Sequence, residues 1–196
     1  MLSAPSSAQV LLANMTFPSI HDISHLCFVT ASISGWKHLF IEPTYAQIVL
    51  DSLSWMQKEK RILLFAFVIM PSHIHLALKP ESDMIGNTLQ QIGSFTAHAI
   101  LNELRKDGKQ DLLDFFNQQK RDARHQHSIW QDIQASNIYS SDFLFQKMEY
   151  IHSNPVSKDW RLVKNRADYK YSSACFYDNG IEPVIQITNV NEWLMV

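Results

Sequence analysis

From Arg61 to Lys79 the chain reads RILLFAFVIMPSHIHLALK. The unbroken apolar run from Ile62 to Met70 has the length of one strand buried on both faces, well short of the ~20 residues a membrane helix needs. Pro71-Ser72 predicts a tight turn, and His73 to Lys79 resumes as a second strand. Together these residues predict a hairpin at the core of a sheet.

Elements of opposite periodicity flank the hairpin. Upstream, Ser24 to Ile33 (SHLCFVTASI) alternates loosely, is rich in β-branched and aromatic residues, and stops at Ser34-Gly35, as a first strand does. After Glu42-Pro43-Thr44, apolar residues at Tyr45, Ile48, Val49, Leu53 and Met56 follow helical spacing to about Lys60. Downstream, Ser82-Asp83 opens a long helix through Met84, Leu89, Ile92, Phe95, Ile100 and Leu104. It closes near Asp107-Gly108, with Arg105 and Lys106 in the last turn. Residues 111–118 predict a short helix, and Ser128 to Tyr139 a further strand or hairpin. Ser140-Ser141-Asp142 then caps a helix carrying Phe143, Leu144, Met148 and Ile151, which ends at Pro155. The order strand, helix, strand, strand, helix, strand, helix is α+β. It predicts a ferredoxin-like βαββαβ antiparallel sheet with helices on one face, plus a C-terminal tyrosine-bearing helix and an extension.

Composition fits a single domain. The 196 residues are 46% hydrophobic, 11% aromatic and 18% charged, with 5 Gly and 7 Pro, which excludes disordered, collagen-like and repeat classes. We expect a flexible tail over 1–20, one domain over 21–177 and a C-terminal extension over 178–196. The first twenty residues hold no Lys or Arg ahead of Val10-Leu11-Leu12-Ala13, so a secretory signal lacks its positive end. The two cysteines, Cys27 and Cys175, lie too far apart for a CxxC site. Both points lead us to expect a cytoplasmic protein. Net charge is −2, and residues 100–170 hold 12 basic against 10 acidic side chains, so no strongly basic nucleic-acid footprint is present. Local basic clusters do occur. One is Lys120, Arg121 and Arg124 beside His125 and His127, and another is Lys158, Arg161, Lys164, Arg166 and Lys170. On charge patterning alone either is a solvated face or a phosphate-contacting surface.

Two short strings carry chemistry. On a strand, side chains two apart leave the same face, so His73 and His75 project together while Ile74 and Leu76 enter the opposite layer. Such a pair is either a divalent-metal site or two half-buried histidines bonded to backbone carbonyls. On the last helix, Tyr150 and Asn154 stand one turn apart and present a phenol and an amide on one face. A phenol attacks phosphorus once a cation polarises the phosphate, and an amide oxygen can complete that cation's shell. The plainer alternative is a packing aromatic with an Asn closing the helix before Pro155.

Phe67-Val68-Ile69-Met70-Pro71-Ser72-His73-Ile74-His75-Leu76, followed by Tyr150-Ile151-His152-Ser153-Asn154-Pro155-Val156, resembles the single-tyrosine HUH (IS200-like) transposases, and within them the REP-associated tyrosine transposases. Ile129-Trp130-Gln131 and Asp168-Tyr169-Lys170-Tyr171-Ser172-Ser173-Ala174 also resemble recurring segments of that group. The resemblance spans about Ser24 to Tyr177. Two positions depart from the pattern: Ser72 replaces an Asn frequent before the first histidine, and His152 occupies a variable site. The resemblance implies a transposase or nickase that cuts and rejoins single-stranded DNA near REP-like hairpins through a 5′-phosphotyrosine. In that reading Tyr150 is the nucleophile, and His73, His75 and Asn154 hold Mg²⁺ or Mn²⁺. Lys120, Arg121, Arg124, Lys158, Arg161, Lys164 and Arg166 contact DNA, and the protein acts as a monomer or homodimer. A non-catalytic binder of hairpin single-stranded nucleic acid on the same fold is the alternative. The aromatics Tyr169, Tyr171, Phe176 and Tyr177 either stack bases or pack the C-terminal segment. Trp130 reads as core or hairpin cover.

Overall fold

A computed structural model of the chain describes residues 26–81, 84–119 and 128–195. The expected tail over 1–20 and the cluster of Lys120, Arg121 and Arg124 with His125 and His127 lie outside them. The strands are β1 (Cys27–Ile33), β2 (Ile62–Met70), β3 (His73–Pro80) and β4 (Trp130–Asn137). The helices are α1 (Pro43–Lys58), α2 (Ile85–Lys106), α3 (Gln110–Gln118), α4 (Ser141–Ser153), α5 (Ala174–Asn179) and α6 (Val190–Trp193). The four strands form one sheet in the order β2-β3-β1-β4, with every neighbouring pair antiparallel. This is the ferredoxin-like βαββαβ arrangement read from the sequence. Among the described residues no helix is long and apolar enough to cross a membrane.

Strand alternation builds a layer on each side of the sheet. On one side Val29, Ala31, Ile33, Ile74, Leu76 and Leu78 pack with Val49, Leu53 and Met56 of α1 and Ile92, Ile100 and Leu104 of α2. On the other, Phe65, Val68, Met70 and Ala77 meet Leu144, Met148 and Ile151 of α4, with Val190 and Leu194 from the C-terminal residues. The crossover helices therefore share one face, and the tyrosine-bearing helix covers the opposite one. A bulge serves both layers: Leu64 pairs with Leu78 and Ala66 with Ala77, leaving Phe65 as the extra residue. Leu64 and Phe67 thereby face the first core, while Phe65 and Ala66 face the second.

The hairpin differs from expectation in one respect. β3 is central, but β2 is an edge strand, not a core one. Its unbroken apolar run is explained by what covers that edge. The amides of Ile69 and Ser173 donate to the carbonyls of Tyr171 and Phe67, and Thr188 N–H donates to Leu64 O. Tyr169 and Tyr177 hydroxyls donate to the carbonyls of Ile69 and Phe65, at 2.9 and 2.8 Å. The edge is thus closed by the downstream chain. These contacts settle the role of Tyr169 and Tyr177 as packing. Trp130 is core, its Nε1–H donating to Thr96 Oγ1 at 2.9 Å. The residues past 177, read as an extension, supply Ile185 to one core and Val190 and Leu194 to the other.

Candidate active site

His73 and His75 stand on β3 and face the α4 side of the sheet, their ring centroids 4.9 Å apart. Register fixes their neighbours. Thr30 lies directly opposite His75 on β1, and its hydroxyl meets His75 Nδ1 at 2.9 Å. Ser72 Oγ lies 3.3 Å from His73 Nδ1. The residue that departs from the family pattern therefore still supplies a hydrogen-bonding group to the first histidine. With hydroxyls on both Nδ1 atoms, Nε2 is the remaining nitrogen of each ring.

Helix α4 brings the tyrosine to this pair. Ser140 caps it, its hydroxyl accepting from the Phe143 amide at 3.2 Å, as the sequence predicted. Leu144, Met148 and Ile151 face the core, which turns Tyr150 toward the histidines of its own chain. Its ring centroid is 5.1 Å from that of His75, edge to face, while half of the residue stays exposed. One turn on, Asn154 is buried, and its amide N–H donates to Tyr150 O at 2.8 Å. That bond aims the amide oxygen away from the helix. Thr30, Trp36, His73, His75, Tyr150, Asn154, Asp159 and Trp160 all line one cleft of about 510 Å³.

The cleft holds its imidazoles neutral. Burial, then the neighbouring His73 and the Lys147 ammonium, push His75 down to about 3. Burial also lowers His73, opposed by a hydrogen bond with the Asn154 side chain and reinforced by His38. Neutral imidazoles are metal ligands at neutral pH, whereas charged ones are not. Among the described residues no group of three His, Cys, Asp or Glu side chains is placed to hold a metal. The donors that the two motifs supply are two imidazoles and one amide, all uncharged, and the Asp159 carboxylate lines the same cleft. Such a set fits a divalent ion, most of whose charge is left to be met by a phosphate.

The basic residues divide. Lys158, Arg161 and Lys164 are exposed beyond α4. Arg166 is committed elsewhere: its guanidinium forks onto Asp178 at 2.8 and 2.9 Å and reaches Glu149 at 2.6 Å. It ties α4 to α5, a structural role beyond the DNA contact expected of it from the sequence. The geometry that discloses this, two carboxylates converging from different segments, has no linear signature.

Sequence reasoning missed Lys147, Trp36, Trp160 and Thr30. Lys147 Nζ lies 4.6 Å from the Phe28 ring centroid and 6.0 Å from that of Tyr150. Its position three residues before Tyr150 on one helix was the available signal. Trp160 sits 5.5 Å from both His73 and His38, and Trp36 packs edge-on to His73 at 5.8 Å. Thr30 was detectable only through cross-strand register.

The fold and the clustering of His73, His75, Tyr150 and Asn154 define an α+β protein of the ferredoxin-like class with a histidine pair beneath a tyrosine helix. Among solved structures, the chain is similar to a REP-associated tyrosine transposase bound to a REP hairpin, with a TM-score of 0.58 and 18% identity over 90% of this chain and 93% of that one. The resemblance read from the sequence is to the same kind of protein, and at this identity the comparison establishes the shared fold. A protein of Deinococcus radiodurans R1 with a provisional transposase description aligns with a TM-score of 0.42 and 14% identity over 64% of this chain and 87% of that one. No family model and no curated protein matches the chain.

Proposed function

We propose that this protein is a metal-dependent transesterase, a transposase or nickase that cleaves and rejoins single-stranded DNA near hairpins through Tyr150. The observation that carries the reading is the packing of the Tyr150 ring 5.1 Å from His75, with His73 and Asn154 in the same cleft. The REP hairpin bound by the solved structure of like fold supports hairpin DNA as the substrate class.

His73, His75 and Asn154 would hold Mg²⁺ or Mn²⁺. When bound, such an ion polarises a nonbridging oxygen of the scissile phosphate. The Tyr150 oxygen attacks phosphorus in line, its proton passing to water. The bond to the 3′ oxygen breaks, and that oxygen takes up a proton. The products are a 5′-phosphotyrosine and a free 3′-hydroxyl. Because the ester keeps the phosphodiester's energy, a second 3′-hydroxyl can reverse the step without ATP. Thr30 and Ser72 hold the imidazoles in orientation, and burial keeps them neutral.

The test is incubation with hairpin-bearing oligonucleotides from the flanking genome in Mg²⁺ or Mn²⁺. Wild type should give a denaturant-resistant adduct with the 3′-side fragment, absent with chelator. Tyr150→Phe should bind the same DNA and give no adduct. Equal binding by both proteins with no adduct from either would leave a non-catalytic hairpin binder.

A further inference from the structure

Trp36 is an aromatic residue held against two ordinary preferences. It is 55% exposed, although an indole carries more apolar surface than any other side chain. Its φ is +54°, in the left-handed region that disfavours any residue with a Cβ. Strain of this kind persists only where the surroundings over-determine it.

They do so here. Ile33 N–H donates to Ser72 O, Ser34 N–H to Ile129 O, and Gly35 N–H to Gln131 Oε1 at 3.2 Å. Gly35 has a φ of +62°, and a Cβ there would come within 2.5 Å of Phe115 Cζ, so a side chain at this position would displace the Phe115 ring of α3. The loop is pinned to β4, to the β2-β3 turn and to α3. The loop carries the Trp36 indole into the lining of the cleft, edge-on to His73 at 5.8 Å. Trp160, by contrast, is already flanked by His38 and His73.

We propose that Trp36 is a stacking platform for one unpaired nucleobase of the DNA strand that enters the cleft. The inference rests on the reading that the cleft takes single-stranded DNA. A phosphate held at His73 and His75 has its nearest base one sugar away, and Trp36 lines the same cleft, 5.8 Å from the His73 ring. A base presents a π-face of any sequence, so the contact recognises an unpaired nucleotide as such. A preorganised indole loses little freedom on binding, which is what a rigid, strained loop secures. This gives a reason for an exposed tryptophan at a position where glycine would suit the backbone.

The experiment compares binding of an oligo-dT of about 12 nucleotides with the same backbone carrying no bases, by anisotropy, in wild type, Trp36→Leu and Trp36→Gly. Wild type should favour the base-bearing strand at least tenfold. Trp36→Leu should reduce that preference about fivefold or more. Trp36→Gly should do the same while unfolding at an unchanged or higher urea concentration, which separates lost stacking from lost fold. An undiminished preference in Trp36→Leu, or no preference in wild type, overturns the proposal. An adduct at Tyr150 alongside an undiminished preference would remove the platform and leave the transesterase. A Trp36-dependent preference with no adduct on any hairpin would do the reverse.

Discussion

His152 offers a stability test that involves no DNA. It lies on the core side of α4, 3% exposed, its Nε2 2.9 Å from Ser173 Oγ and its ring 5.4 Å from that of Tyr177. Burial, then the Arg166 guanidinium, push its pKa down to about 4. Above the unfolded value of about 6.5 both states are neutral and no penalty applies. Between about 6.5 and 4 the unfolded chain binds a proton that the folded chain refuses, so stability falls as pH falls through that window and levels off below it. From pH 7 to pH 5 this one residue removes about 2 kcal/mol. In urea, at an m-value of about 2 kcal/mol/M, the midpoint moves down by about 1 M. Acidic groups titrate too, so the informative quantity is a difference. His152→Gln keeps a neutral polar group near Ser173 and removes the titration. It should be about 1 kcal/mol less stable than wild type at pH 7, and should lose about 2 kcal/mol less than wild type between pH 7 and pH 5. Parallel losses in the two proteins over that range would refute the argument that burial holds His152 neutral.

Lys147→Met, which keeps the stem over Phe28 but removes the charge beside Tyr150 and His75, should slow adduct formation by about tenfold or more. It should cost no more than about 1 kcal/mol in urea unfolding. Thr30→Val deletes the hydroxyl on His75 Nδ1 and should weaken Mn²⁺ binding by ~10- to 100-fold, read by direct titration of the metal. Gly35→Ala meets Phe115 and a positive φ together, and should lower stability by about 2–4 kcal/mol by urea denaturation. Tyr150→Phe should leave stability within about 0.5 kcal/mol of wild type, since its hydroxyl sits on a half-exposed ring.

What the sequence disclosed followed from local rules. Alternation on β3 put His73 and His75 on one face, helical spacing joined Tyr150 to Asn154, and Ser140 marked the start of α4, all within a few residues of each other. What it withheld depends on partners distant in the chain. The apolar run of β2 looked like a central strand because its edge is covered by residues about a hundred positions later, and hydroxyl-to-carbonyl contacts such as Tyr177 to Phe65 leave no periodic trace. The ion pairs of Arg166 left no linear trace because its carboxylates, Glu149 and Asp178, come from separate segments. Trp36 was passed over because Ser34-Gly35 reads as a strand ending and says nothing of which way the next side chain points.

The closure of β2 has a consequence during synthesis. Phe67 emerges from the ribosome 106 residues before Ser173, the residue that engages its backbone. At a translation rate of about 5–20 residues per second, that edge waits on the order of 5–20 seconds with unpaired amides and carbonyls beside strongly apolar side chains. The hairpin, β1 and the crossover helices can assemble in that interval, yet the product is a sheet with one sticky side. Nascent chains are then vulnerable to pairing with one another through β2, and a holdase chaperone that recognises apolar extended segments would find its target there. Supplying the Asp168 to Thr188 stretch in trans would cover that edge during the interval without altering any residue of the finished protein.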